Sequence, residues 1–228
     1  MMVLPCRTSK ADLDILWLLM MTANHEPCQP EIVTLDQGAV LTLWQSALPP
    51  EWACNLFAEL RDSLRWHQPQ VQVFGRKHLT PRLTTWQGEP GISYRYSGLT
   101  ETAEGWPEVL KPVLHQVESL TGHRFNSVLG NYYRSGADSM GYHSDDEPEL
   151  GPEPWIASLS LGASRDFVFR RREGDRSQCA RLVLPDNSLL LMSPQVQARF
   201  QHALPRRARV QEGRINLTFR LIHQPQNA

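Results

Sequence analysis

Cysteine is scarce in this sequence and offers nothing to build a frame with. The four that occur in 228 residues, Cys6, Cys28, Cys54 and Cys179, lie far apart without a CxxC pair. That excludes a zinc ribbon and a disulfide-stapled fold, and it fits a reducing, intracellular compartment. Long apolar runs are missing too. The nearest, Ile15 to Met21, is too short to span a bilayer and follows Asp12 and Asp14 rather than a basic signal region, so a soluble protein is expected. There is no internal repeat and no low-complexity tract. Net charge is almost absent, at −1. What remains, 41% hydrophobic and 21% charged, is the balance of one sizeable core.

The small total charge conceals an uneven distribution. Residues 1–153 carry 11 Lys or Arg against 19 Asp or Glu, a balance of −8, whereas residues 154–228 carry 12 against 5, a balance of +7. Two runs stand out, Arg170-Arg171-Arg172 and Arg206-Arg207-Ala208-Arg209. Sharing one face they would neutralise phosphates; apart, they are solvated surface.

Periodicity divides the chain. Residues 1–30 show no sustained period and read as peripheral, with tandem Met20-Met21 leaving open a start there; residues 31–228 read as one domain, expected to be a monomer. After Pro49-Pro50, the apolar positions Trp52, Ala53, Leu56, Phe57, Leu60 and Leu64 predict a helix over Glu51 to Leu64. A second follows Pro107, with Val109, Leu110, Val113, Leu114, Val117 and Leu120 on one stripe and Gly122 at its end. Between them, Pro69 to Gly105 is rich in turns, with extended pieces at Val71 to Phe74 and Ile92 to Tyr96. From Ser127 the pattern alternates, predicting strands at 128–133, 156–161, 167–171, 181–184, 188–192, 199–203 and 214–221. Strands at this spacing indicate a sandwich or jelly roll with the two helices outside.

Two features carry chemistry. In His143-Ser144-Asp145 the histidine and aspartate stand at i and i+2, on one side of an extended segment, and His202 in a later strand is the best third partner. Two imidazoles and a carboxylate on one face leave positions open on a metal, the set that suits non-haem iron(II), although the same donors also hold catalytic zinc. The strand Arg214-Ile215-Asn216-Leu217-Thr218-Phe219-Arg220 puts Arg214, Asn216, Thr218 and Arg220 on one face and Ile215, Leu217 and Phe219 on the other. Arginines turned inward demand an anion, and a dicarboxylate matches the guanidinium fork. On an outer face they would pair with protein acids instead. Asn131 and Tyr133 share a face of an earlier strand and can donate to the same small anion.

With these residues assembled, the chain resembles the AlkB family of iron(II)- and 2-oxoglutarate-dependent nucleic-acid dealkylases, nearest the branch that repairs duplex DNA. The likeness covers about two thirds of the chain, from Pro69 to Leu221. It rests on Asn131-Tyr132-Tyr133-Arg134, His143-Ser144-Asp145-Asp146-Glu147, Ser158-Leu159-Ser160-Leu161-Gly162, Asp166-Phe167-Val168-Phe169-Arg170, His202, and the strand from Arg214 to Arg220. It implies an α+β, mainly β fold: a double-stranded β-helix (jelly roll) with flanking N-terminal helices and a nucleotide-recognition lid inside 69–105. It implies iron(II) on the catalytic residues His143, Asp145 and His202, with 2-oxoglutarate and O2 as cosubstrates. Asn131, Tyr133, Arg214, Asn216, Thr218 and Arg220 would hold the 2-oxo acid, Arg214 and Tyr133 at its distal carboxylate.

The resemblance also implies a substrate, alkylated DNA or RNA, and a reaction, oxidative demethylation of N1-methyladenine and N3-methylcytosine with release of formaldehyde. Val73, Phe74 and Gly75 match the segment that wedges into the base stack in place of a flipped nucleotide. Tyr94, Tyr96 and Ser97 match the pocket that sandwiches the damaged base against His143; the branch has phenylalanine where this chain has Tyr96. Asp146 and Glu147 would meet the cationic base, and Arg82, Arg170, Arg171, Arg172, Arg206 and Arg207 are the phosphate-contact candidates. The alternatives are an oxygenase of the same fold acting on a protein or small molecule, and a non-catalytic nucleic-acid binder with a structural metal.

Overall fold

The computed structural model describes residues 29–73, 76–96 and 99–223, with the backbone alone at 37, 71–73, 76, 95, 96 and 99. In chain order the elements are β1 (Glu31–Thr34), β2 (Val40–Trp44), α1 (Pro50–Ser63), β3 (Gln70–Val73), β4 (Arg76–Leu79), β5 (Leu83–Gly88), β6 (Ser93–Tyr96), β7 (Leu99–Thr102), α2 (Lys111–Thr121), β8 (Ser127–Tyr133), β9 (Met140–His143), β10 (Ile156–Gly162), β11 (Arg165–Arg171), β12 (Gln178–Leu184), β13 (Ser188–Met192), α3 (Pro194–Arg199), β14 (Phe200–Leu204) and β15 (Arg214–Arg220). Two antiparallel sheets face each other. The larger has the order β1-β2-β13-β10-β15-β8-β5 and the smaller β12-β11-β14-β9, while β3-β4 and β6-β7 are separate hairpins.

Alternation along the central strands sorts the two faces of the larger sheet. Ala157, Leu159, Leu161, Leu189, Leu191, Ile215, Leu217 and Phe219 point outward and pack under Trp52, Leu56 and Leu60 of α1 and Val113 and Val117 of α2. Proline at the first position starts α1, and Gly122, at φ 70°, ends α2 by turning its N–H back to Glu118, a backbone conformation glycine enters without strain. Cutting Leu217 to alanine in this layer would cost about 2–5 kcal/mol. The inner face is mixed: Leu129, Leu190 and Met192 join Phe167, Phe169 and Phe200 of the opposing sheet in a second core, and the remaining inward positions are polar.

The predicted helices and the seven strands from Ser127 onward are present, shifted at their ends by a few residues. Seven elements among the described residues were not anticipated: β1, β2, β4, β5, β7, β9 and α3. β1 and β2 extend the larger sheet, and β5 pairs with β8 from Leu83↔Tyr132 to Gly88↔Ser127, so the turn-rich stretch between the helices contributes an integral strand. The short α3 occupies the residues just before β14 and takes Arg199, which was expected to open that strand.

Candidate active site

His143 is the last residue of β9 and stands opposite His202 of β14, where the pairing slips by one residue between His202 and Leu204. Such a bulge re-aims side chains, and the two imidazoles meet edge to face with ring centroids 4.3 Å apart. Asp145 lies just past the strand end, its Oδ1 3.8 Å from His143 Nε2, and its backbone N–H is held by the Gln197 amide oxygen of α3 at 3.0 Å. Ligand atoms of His143, Asp145 and His202 all fall within 4.8 Å of one another, close enough to share one cation.

Protonation states favour that use. The His143 Nδ1 is 3.0 Å from the Gly141 carbonyl; a carbonyl only accepts, so the proton sits on Nδ1 and Nε2 keeps its lone pair. Burial, with His143 beside it, pushes His202 down to about 3. Burial would raise Asp145, but Arg220, aided by the two imidazoles, holds its carboxyl at about 2, through a contact of 3.0 Å. At neutral pH the three groups are therefore two neutral imidazoles and one carboxylate.

Behind them the inner face of β15 is as expected: Arg214, Asn216, Thr218 and Arg220 are all buried. Asn131, Tyr133, His143, Asp145, Ser158, His202, Asn216, Thr218 and Arg220 line one cavity. Asn216 donates to Ser158 Oγ at 2.8 Å and to the Leu159 carbonyl at 3.0 Å, and its oxygen accepts from Thr218 at 3.0 Å, so Asn216 knots the strands as well as lining the cavity. Arg82 donates from Nε to the Asn131 oxygen at 2.7 Å, leaving the Asn131 amide hydrogens to face an acceptor. Arg214 donates to Ser160 Oγ at 2.8 Å and has no carboxylate partner among the described residues. Burial lowers it to about 10, with Arg165 adding to the effect against Tyr133. Arg214 Nε, Arg220 Nε, His202 Nδ1 and Glu147 Oε2 are buried without a partner. Unsatisfied polar atoms in such a cluster are capacity held for groups the chain does not supply.

The expected substrate residues divide. Tyr94 is buried, stacked on Trp86 with centroids 4.6 Å apart, and donates to Glu147 Oε1 at 2.7 Å; the Arg220 guanidinium lies 5.4 Å from its ring. Burial raises Glu147, and Asp145 adds to this. Tyr94 and Glu147 thus stand beside the metal donors. Asp146 does not: it is exposed and paired to Arg172 at 2.6 Å. Arg82 is 3% exposed and holds Asn131, so the structure places it inside the site and not on an outer face. Arg170 is bound to Gln201 and lies 4.0 Å from the Tyr142 ring centroid, Arg171 is paired to Asp36, Arg207 to Asp166, and Arg206 is exposed. Phe74, Gly75 and Ser97, and the side chains of Val73 and Tyr96, lie outside the described residues. Residues 1–28 do as well. Sequence reasoning missed Gln197, Ser160 and the bond from Arg82 to Asn131. Only the Ser158-Leu159-Ser160 alternation carried a signal, two hydroxyls on one strand face.

Comparison with known proteins agrees with this geometry. Residues 40–220 match the model of the 2OG-Fe(II) oxygenase superfamily. The chain is 43% identical over 179 residues to the mouse protein named DNA oxidative demethylase ALKBH2, covering 75% of each chain. It is 34% identical over 215 residues to the Arabidopsis thaliana protein of that name, covering 83% of this chain and 68% of that one. Against bovine alpha-ketoglutarate-dependent dioxygenase alkB homolog 3 it is 41% identical over 179 residues, covering 75% of this chain and 62% of the relative. The solved structure of OsALKBH1 superimposes with a TM-score of 0.58 at 16% identity, over 84% of this chain and all of that one, a likeness of fold. With two imidazoles and a carboxylate at one point and an uncompensated arginine behind them, the chain belongs to the AlkB family of 2OG-Fe(II) oxygenases.

Proposed function

We propose that this chain removes alkyl groups oxidatively from bases of DNA, N1-methyladenine and N3-methylcytosine being the substrates its site suits, with RNA as the comparison substrate. The observation that carries the reading is the pairing of the three-residue metal site with Arg214, a buried guanidinium that forms no ion pair with an acid among the described residues. Such a charge requires an anion from outside the chain. His143, Asp145 and His202 would hold iron(II), and Arg214, Tyr133, Asn131, Asn216, Thr218 and Arg220 would line the seat of 2-oxoglutarate. When bound, iron(II), the 2-oxo acid and O2 supply the oxidising power that hydroxylates an N-methyl carbon, after which formaldehyde leaves.

The protein's part is arrangement. Arg220 keeps Asp145 anionic and Gly141 keeps the His143 lone pair free, so the donors are set before a metal arrives. Glu147, half-buried with one oxygen unpartnered, offers a negative wall beside the donors, which suits a base that alkylation has made cationic and disfavours the neutral parent base. Tyr94 holds that wall in place. In this reading the sheets form a double-stranded β-helix flanked by its N-terminal helices, the two hairpins within 69–105 are the nucleotide lid, and residues 31–228 act as a single-domain monomer. No described helix is long and apolar enough to cross a membrane; an intracellular site of action follows from the substrate class.

The test is incubation with iron(II), 2-oxoglutarate and ascorbate on single- and double-stranded oligonucleotides carrying either lesion, reading base mass and formaldehyde. Loss of the methyl group supports the reading. An intact lesion on every strand form, with 2-oxoglutarate still consumed, would favour a protein or small-molecule substrate.

A further inference from the structure

Arg165, the first residue of β11, is the largest side chain among the described residues to be almost fully removed from solvent. Its Nη1 donates to the Ser135 carbonyl at 3.2 Å, and its Nη2 to the carbonyls of Asp138 at 2.9 Å and Pro205 at 2.7 Å. Nε has no partner, and among the described residues no carboxylate forms an ion pair with it. Carbonyl dipoles solvate a buried charge without neutralising it. The guanidinium lies 5.9 Å from the Tyr133 ring centroid, and that of Arg214 lies 5.5 Å from the same ring. Two guanidiniums that form no direct ion pair with a described acid therefore border one tyrosine, the Asp138 and Asp166 carboxylates acting on Arg165 from farther off. Like charges so placed oppose each other, Arg165 lowering Arg214, and an anion bound at this end of the seat would offset both.

We propose that Arg165 is a positioning residue for the distal carboxylate of the 2-oxo acid, acting through the Tyr133 hydroxyl, and that it sets the preference for a dicarboxylate over a monocarboxylate. The proposal rests on the cosubstrate reading above. A cation beside a phenol makes its O–H a stronger donor, and a fixed second charge at the same end of the seat favours a ligand that ends in an anion. Three carbonyls lock the guanidinium, so nothing need reorganise when the ligand arrives. Lysine would keep the charge but not the fork that makes these three bonds.

The experiment compares 2-oxoglutarate with 2-oxopentanoate, the same acid with a methyl group in place of the distal carboxylate, binding to Mn(II)-loaded full-length protein by calorimetry. Arg165→Gln is expected to weaken 2-oxoglutarate by about tenfold, the scale of one charge-assisted hydrogen bond, and to leave 2-oxopentanoate within about twofold. Arg165→Lys should lose only about two- to threefold for the dicarboxylate, and it carries the test alone if the glutamine variant does not fold. In a Tyr133→Phe background the effect of Arg165→Gln should largely vanish. Equal losses for both acids, no loss for 2-oxoglutarate in either variant, or an undiminished loss without the Tyr133 hydroxyl would overturn the proposal. If wild-type protein binds neither acid, the cosubstrate reading fails first; if it binds 2-oxoglutarate and the variants bind it equally, only the role of Arg165 fails.

Discussion

Inside the sandwich, Arg165, Arg214 and Arg220 are each no more than 3% exposed, and among the described residues one of the three, Arg220, makes an ion pair. On the surface the pattern is reversed: Arg171 pairs with Asp36, Arg172 with Asp146, Arg181 and Arg207 with Asp166. These four exposed arginines meet acids although water would solvate them, whereas the buried Arg165 and Arg214 form no ion pair with a described acid although water cannot solvate them. Surface pairs form because charges of both signs are plentiful and contribute little. Interior cations are expensive, so a fold that keeps several near one cavity is arranged around an anion it does not itself provide. Part of the +7 of the C-terminal third is offset at the surface, since Asp36 and Asp146 come from the acidic part of the chain and pair with Arg171 and Arg172.

The strongest way to break this contrast is to remove the group the interior is built around. His202→Ala should take metal binding and turnover to background, read by metal content after dialysis and by formaldehyde release; retained activity would remove His202 from the donor set. Next come the two interior arginines of β15, which should behave oppositely. Arg220→Met leaves Asp145 buried and unpaired and should cost about 3–5 kcal/mol of stability. Arg214→Met removes an uncompensated charge and should leave the ligand-free protein as stable or more so, while weakening 2-oxoglutarate about 10- to 100-fold. Denaturant melts and calorimetry on both variants separate these outcomes, and equal destabilisation would contradict the assignment of Arg214 as a ligand arginine.

A smaller effect concerns acid. His202 in the metal-free fold is held at about 3, below the roughly 6.5 of an unfolded histidine, so its contribution is fully present above pH 6.5 and is lost as pH falls toward 3. Asp145, held at about 2 against roughly 3.9 unfolded, loses its contribution in the lower window between those values. Denaturation midpoints should therefore start to fall below pH 6.5, and His202→Gln should flatten the upper part of that fall; an unchanged profile would show that His202 is not the group responsible. The smallest effects belong to the surface. Arg206→Ala and Arg209→Ala should leave 2-oxoglutarate affinity unmoved and each reduce the salt slope of oligonucleotide binding by about 1, while Arg171→Ala, whose partner is Asp36, should change neither.

Much of the interior was legible beforehand because strand geometry has a period of two. The alternation from Arg214 to Arg220 separates four polar from three apolar residues, and burial of that strand on both faces left the polar set nowhere to go but inward. The spacing of His143 and Asp145 was legible for the same reason. What could not be read were partnerships across the fold. Nothing local says that Arg82 bonds Asn131, that Asp146 turns out to Arg172 while its neighbour Glu147 turns in to Tyr94, or that α3 brings Gln197 to the Asp145 backbone. β5 was hidden because its apolar positions lie between turn signals, and its strand character comes from pairing with β8. Arg165 falls between two motifs, after Gly162 and before Asp166, and neither takes it in.

The central claim is that the interior cations and the three donors form one seat for iron(II) with a 2-oxo dicarboxylate. Anaerobic titration of the protein with iron(II) and 2-oxoglutarate, followed by the visible charge-transfer absorption of a 2-oxo acid chelated to iron(II), tests it most directly. The band should appear in the wild-type protein, need a higher 2-oxoglutarate concentration in Arg214→Met, and be absent in His202→Ala. No band in the wild type, or an identical titration in all three proteins, would contradict the account.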